Sequence, residues 1–151
     1  MEYEQLKLEN QLCFPFYAVS RLIIRAYQED LDRLGITYPQ YLVLMVLWEK
    51  DGISVNEITE KLILNTNTVT PLLKRMEAMQ LITRTPSTVD QRKIIIQLTS
   101  QGWAMRESAA EIPLKLMNKL NLEASDVQIA EALHLKNKLY ELIKVLDKSS
   151  N

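Results

Sequence analysis

The sequence predicts a mainly α chain: a helix-turn-helix, a two-stranded β-hairpin directly after it, and long apolar-striped helices at both ends. Three observations predict this. Residues 54–80 hold two short helical patterns separated by the polar run Asn65, Thr66, Asn67. Residues 81–98 contain two β-branched runs around a turn-rich segment. The terminal stretches repeat apolar residues at helical spacing, from Leu12 to Ala26 and from Val127 to Leu146.

Taken in order, residues 5–33 place Leu12, Phe16, Val19, Ile23 and Ala26 at intervals of four, three, four and three, a stripe that ends near Gly35. Pro15 leaves two expectations for this helix. A start just before Pro15 puts Cys13 at the N-terminal end, and a start near Asn10 puts a kink at the carbonyl of Gln11. Thr37 with Gln40, and Pro39 between them, opens a second helix through Trp48, closed by Asp51 and Gly52. Ser54 with Glu57 is a capping box, so a third helix starts at Val55 and runs towards Leu62.

The fourth helix buries Val69, Leu72, Leu73 and Met76, at i, i+3, i+4 and i+7, and presents Asn67, Thr70, Pro71 and Lys74 on another face. Amide, hydroxyl and ammonium groups on a slim helix suit a DNA major groove. Asparagine pairs with adenine, threonine methyls meet thymine, and lysine reaches guanine or phosphate. Leu81–Thr85 and Lys93–Leu98 then read as strands, with Ile94, Ile96 and Leu98 on one side and a tip from Pro86 to Arg92 between them. A helix-turn-helix followed by a basic hairpin is a winged helix with a two-stranded β wing. Thr99 caps a long helix from Ser100 through Leu120, in which Pro113 predicts a kink after Ile112. Ser125 with Gln128 caps the last helix, striped by Val127, Ala130, Leu133, Leu139, Ile143 and Leu146. The predicted organisation is a winged helix over 37–99 between dimerisation helices at 5–35 and 100–147.

At 151 residues and 47% hydrophobic content the chain suffices for one core, and no apolar run approaches the ~18 residues of a membrane span. The first residues, acidic and polar, do not resemble a signal peptide, and a single cysteine fits a reducing cytoplasm. The formal charge is −1, yet Lys74, Arg75, Arg84, Arg92 and Lys93 stand against only Glu77 and Asp90 between residues 74 and 93. That segment is +3, so the rest of the chain is −4. A basic stripe on an acidic body binds DNA in one orientation. Only three glycines are present and none forms a phosphate-cradling loop, while His134, the lone histidine, cannot make a metal site with one distant cysteine. The pair Glu107 and Glu111 reads as a solvated face. Neither an enzyme nor a resident cofactor is expected.

The segments VTPLLKRME at 69–77, DQR at 90–92 and LTSQG at 98–102 resemble the MarR family of winged-helix regulators. KLENQLCFPFYAVSRL at 7–22 and LGITYPQYLVLMVLWE at 34–49 resemble its organic-hydroperoxide-sensing OhrR branch. The resemblance spans nearly the whole chain. It implies a homodimeric repressor that reads an inverted-repeat operator in double-stranded DNA and senses peroxide through Cys13. It also implies that Tyr17, Tyr27 and Tyr38 surround the sulfur, some of them from the partner subunit. On the DNA side the expected residues are Asn65, Thr66, Asn67, Thr68, Thr70, Lys74 and Arg75 for the groove and its phosphates. Arg84 and Lys93 are expected on phosphates, and Arg92, oriented by Asp90, in a minor groove. The chain departs from the branch at Pro15, at Asn65-Thr66-Asn67 and at Pro86.

The reactive form of Cys13 is a thiolate, to be stabilised by the helix terminus and by phenolic donors. An organic hydroperoxide would oxidise it to a sulfenic acid. With no second cysteine, that species must condense with a small cellular thiol, cyclise with a backbone nitrogen or over-oxidise. The rival within the same fold is a regulator governed by an aromatic or anionic metabolite, with Cys13 incidental. A further rival is a winged helix that binds protein partners only.

Overall fold

The computed structural model describes residues 3–120 and 125–148. The segment 121–124, inside the expected C-terminal dimerisation element, lies outside the described residues. After two short 3₁₀ turns at Glu4–Leu6 and Leu8–Asn10 come α1 (Cys13–Leu34), α2 (Tyr38–Glu49), β1 (Ile53–Ser54), α3 (Val55–Leu62) and α4 (Thr66–Ala78). The wing strands β2 (Ile82–Pro86) and β3 (Ile94–Leu98) follow, then α5 (Ser100–Ala109), α6 (Ile112–Lys119) and α7 (Asp126–Lys148).

The caps are those the side chains dictate. Gln40 Oε1 accepts from the Thr37 backbone N–H at 2.8 Å, and Glu57 Oε2 accepts from that of Ser54 at 2.9 Å. Each carboxyl or amide satisfies a donor that the first helical turn leaves orphaned. Helix α1 begins at Cys13, so Pro15 is its third residue and its missing N–H removes no helical hydrogen bond. The helix therefore starts late, and no kink arises at Gln11. Helices α3 and α4 close on left-handed residues that are not glycine, Ile63 (φ 55°) and Gln80 (φ 60°). Both closures are completed from behind by backbone bonds, Leu64 N–H to Thr59 and Leu81 N–H to Met76, at 3.0 Å each.

The two-stranded wing gains a third strand that the sequence did not announce, and one expectation is corrected. The sheet has three strands in the order β1-β3-β2, because Ile53 and Ser54 pair antiparallel with Ile96 and Ile95. Two residues show no alternation, so this strand carries no sequence signal. The expected kinked helix over 100–120 is instead two helices. The proline ring at 113 cannot accommodate the carbonyl of Ala109, and α5 stops there. Glu107 and Glu111 thus sit either side of a break, both exposed, and Glu111 pairs with Lys115 at 3.2 Å.

The core lies between α2, α3, α4, the sheet and the ends of α1 and α6, with Leu44, Leu47, Ile58, Val69, Leu73, Met76 and Ile96 wholly buried. Gly102 is where the wing root meets α5. A Cβ there would stand 2.2 Å from the carbonyl oxygen of Leu81. The glycine of the LTSQG segment is therefore required by a close backbone approach. Its own carbonyl accepts from Trp48 Nε1 at 3.0 Å.

The long helices are different. Phe14, Val19 and Leu22 on α1 and Leu133, Val145 and Leu146 on α7 are exposed. No helix among the described residues is long and apolar enough to cross a membrane.

Candidate nucleic-acid interface and thiol site

Helix α4 sits with Val69, Leu72, Leu73 and Met76 in the core, so Asn67, Thr68, Lys74 and Arg75 are turned outward. Pro71 lies on the same exposed side, six residues into the helix. It cannot donate to the carbonyl of Asn67, but that carbonyl belongs to an exposed residue and is not left unpaired in the core. Thr66 and Thr70 face a recess of about 210 Å³ between the helix-turn-helix and the wing, lined also by Ser54, Val55, Asn56, Arg84, Arg92, Lys93 and Ile94. The fold thus gathers five of the expected DNA residues, Thr66, Thr70, Arg84, Arg92 and Lys93, around one concavity. Asn65 stands apart, in a cleft with Ile63, Leu64 and the end of α7.

The charges in the recess are not equivalent. The Arg84 side chain is largely buried and its Nη1 lies 3.5 Å from Glu77 Oε2, while its Nε has no hydrogen-bond partner. Lys74, Arg75, Arg92 and Lys93 form no ion pair among the described residues. Their ammonium and guanidinium groups are open to an anionic partner. Asp90 accepts from the backbone N–H of Arg92 at 3.1 Å, and Ser87 Oγ accepts from the N–H groups of Val89 and Asp90. The carboxylate therefore holds the backbone of Arg92 in the turn and does not pair with its guanidinium. Pro86 pairs with Ile94 at the end of the ladder, and the Ser87 N–H to Lys93 carbonyl bond closes the hairpin beyond it. The sequence pattern marks Ser54 only as a cap and gives no sign that Asn56 or Glu77 belongs to this surface. The capping signature at Ser54 hides its place in the lining of the recess.

Cys13 is exposed at the first position of α1, whose N-terminus has no side-chain cap. Tyr17 follows one turn later on the same face, with its hydroxyl 3.4 Å from Arg21 Nη1. Tyr27 and Tyr38 are elsewhere. Their rings are 5.1 Å apart, and both meet Tyr41, at 6.1 and 6.4 Å. Burial pushes all three phenols above the ordinary tyrosine range, with each other's proximity adding to the rise for Tyr27 and Tyr41. They stay protonated, as donors. Tyr41 carries no functional signal in the sequence, because an aromatic in an apolar helix reads as packing. Fourteen residues of helix separate Cys13 from Tyr27, roughly 21 Å at the α-helical rise. One protomer therefore does not bring its own sulfur to its own tyrosine cluster. Among the described residues, no group of histidine, cysteine and carboxylates is arranged to hold a metal.

Residues 25–108 match the family model described as transcriptional regulator SarA/Rot. The organic hydroperoxide resistance transcriptional regulator of Bacillus subtilis is 42% identical over 145 residues, 96% of this chain and 95% of that protein. The chain belongs to the MarR-type winged-helix transcriptional regulators. Another relative in this family, the HTH-type transcriptional regulator SarZ of Staphylococcus aureus, is 38% identical over 84% of this chain and 88% of its own length. Among solved structures, reduced AbfR bound to DNA superposes with a TM-score of 0.78 at 38% identity, covering 97% of this chain and 99% of that one. AbfR, from Staphylococcus epidermidis, has also been solved overoxidised on DNA and in a disulfide-formed state. The MarR-type motifs map onto the geometry above. VTPLLKRME is the buried and exposed faces of α4, DQR is the wing tip, and LTSQG is the root where Gly102 meets Leu81.

Proposed function

We propose that two copies of this chain form a DNA-binding repressor that holds an inverted-repeat operator while Cys13 is a thiol. It releases the operator after an organic hydroperoxide oxidises that sulfur. The observation that carries this reading is the division of the thiol site along α1. An exposed Cys13 stands at one end, and a half-buried, protonated tyrosine cluster lies roughly 21 Å away near the other. A second α1 running antiparallel across the first near Ser20, midway between residues 13 and 27, joins each sulfur to the other subunit's tyrosines. The exposed apolar faces of α1 and α7 supply the surface for such a two-fold interface.

In the reduced dimer the phenols of Tyr27 and Tyr38 donate to the partner sulfur, and Tyr17 flanks it from its own helix. The thiolate attacks the terminal peroxide oxygen. The O–O bond breaks, the terminal OH stays on the sulfur so that Cys13 becomes a sulfenic acid, and the departing alkoxide takes from solvent the proton that the thiol had released, leaving as the alcohol. A small cellular thiol then attacks that sulfur, forming a mixed disulfide and releasing water. Because an overoxidised relative has been solved on DNA, the bulky disulfide, and not added oxygen alone, is taken as the releasing state. It displaces the phenols, and the two α4 helices no longer match half-sites about one helical turn apart.

On DNA, α4 enters the major groove through Asn65, Thr66, Asn67, Thr68 and Thr70, with Lys74 and Arg75 on its edges. Arg84 and Lys93 take phosphates in the recess, and Arg92, set by Asp90, enters the minor groove. The protein works in the cytoplasm, needs no cofactor and is not an enzyme. The test is operator binding by Cys13→Ser. Cumene hydroperoxide with free cysteine should release the wild type and leave the variant bound, and release of the variant would overturn the assignment.

A further inference from the structure

Gln40 is a buried polar residue, 5% exposed, in the first turn of α2, two positions beyond Tyr38. Its Oε1 is occupied by the cap, accepting from the Thr37 backbone N–H at 2.8 Å. Its Nε2 donates to the thioether sulfur of Met79, 39 residues further on, at 3.3 Å. Met79 is the C-cap of α4. Among the described residues no other side-chain hydrogen bond ties α2 to α4 or its cap.

The choice of side chain is informative. A capping box accepts glutamate as readily as glutamine, and a negative charge suits a helix N-terminus better. Only the amide, however, has an N–H for the sulfur. Met79 is also the start of a rigid corner. Gln80 follows in the left-handed conformation, and the carbonyls of Gln80 and Leu81 accept from the Thr99 hydroxyl at 2.6 and 3.2 Å. What moves Met79 moves the end of α4 and the root of the wing together.

We propose that Gln40 is the positioning residue that carries the state of the tyrosine cluster to the reading head. Tyr38 and Gln40 share the first turn of α2, so a displacement of the Tyr38 ring that shifts this turn carries the Gln40 amide with it. The amide draws the Met79 cap with it and re-aims α4 and the wing. This rests on the peroxide-sensing reading above and adds the path by which it reaches DNA.

The experiment compares the wild type with Met79→Leu, which keeps the volume and removes the acceptor, and with Gln40→Glu, which keeps the cap and removes the donor. The DNA is an inverted-repeat duplex selected from a random library with the reduced wild-type protein. Affinity is measured reduced, and again after cumene hydroperoxide with free cysteine. The quantity read is the ratio of the two affinities, which loss of stability alone does not change. Both variants should bind in the reduced state and show a ratio about five- to tenfold smaller than wild type, the size of a modest coupling between sites. A wild-type ratio in both variants overturns the path and leaves the sensor intact, as does weaker reduced binding at an unchanged ratio. A wild type that does not respond to peroxide overturns the sensor reading and this inference together.

Discussion

Replacing Gly102 with alanine separates two opposing expectations by sign. Gly102 is the third residue of α5, and helix propensity alone predicts that alanine there stabilises by about 1 kcal/mol. The structure predicts the opposite. The new methyl would meet the Leu81 carbonyl oxygen at 2.2 Å and Leu98 Cδ2 at 3.0 Å. Restoring ordinary van der Waals separation requires about 1 Å of backbone movement at the wing root or in α5. That carbonyl also accepts from the Thr99 N–H at 3.1 Å, and the Gly102 carbonyl accepts from Trp48 Nε1 at 3.0 Å. Movement of this size breaks both bonds, and each partly buried partner left unpaired costs about 1–3 kcal/mol. Against the propensity gain, the net loss is about 1–5 kcal/mol. Urea unfolding at one fixed protein concentration measures it, since a dimer's stability depends on concentration. A Gly102→Ala protein as stable as wild type, or more so, would refute the close-approach argument. Operator affinity should fall with it, because the wing no longer sits square to α4.

Other consequences follow from the same geometry. Arg92→Ala and Lys93→Ala should each weaken binding and each reduce the salt slope by about one, read from operator titrations between low and moderate salt. In a Cys13→Ser background, Ser20→Cys should form a covalent dimer under mild oxidation, seen on a non-reducing gel; a purely monomeric product argues against an α1 crossing near this residue. Hydrogen bonds from the Ser54 backbone and hydroxyl, with Lys50 nearby, hold the Glu57 carboxyl down at about 2. Its folded value is below its unfolded one, so its contribution is complete above the unfolded value of about 4.3 and is lost as pH falls from there towards about 2. Glu57→Gln should therefore flatten the acid limb of a melting-temperature profile over that window. Ser54→Ala, which removes the cap oxygen, should cost about 1 kcal/mol at neutral pH.

The parts of this molecule readable from the chain are those whose causes lie within one or two helical turns. Thr37 with Gln40 and Ser54 with Glu57 mark helix starts because each side chain bonds a backbone group three residues away. The alternation of Ile94, Ile96 and Leu98 marks the wing, and the spacing of Val69, Leu72, Leu73 and Met76 separates the buried face of α4 from the one left for DNA. Cys13, as the lone thiol near a proline, could be located and assigned by resemblance. The positions of the expected DNA residues along the chain did not say that Thr66, Thr70, Arg84, Arg92 and Lys93 share one recess, nor that Asn65 stands outside it.

What only the tertiary structure decided joins residues far apart in the chain. The strand at Ile53 exists because Ile96 is there to pair with it, and Gly102 must be glycine because the backbone at Leu81 crosses it. Tyr41 completes a cluster with Tyr27, Glu77 holds Arg84, and the Gln40 amide finds a sulfur across the fold. Local patterns are set by the fixed rise and turn of each element, so they are written in spacing. Long-range pairings depend on how whole elements pack, and no spacing within the sequence encodes that.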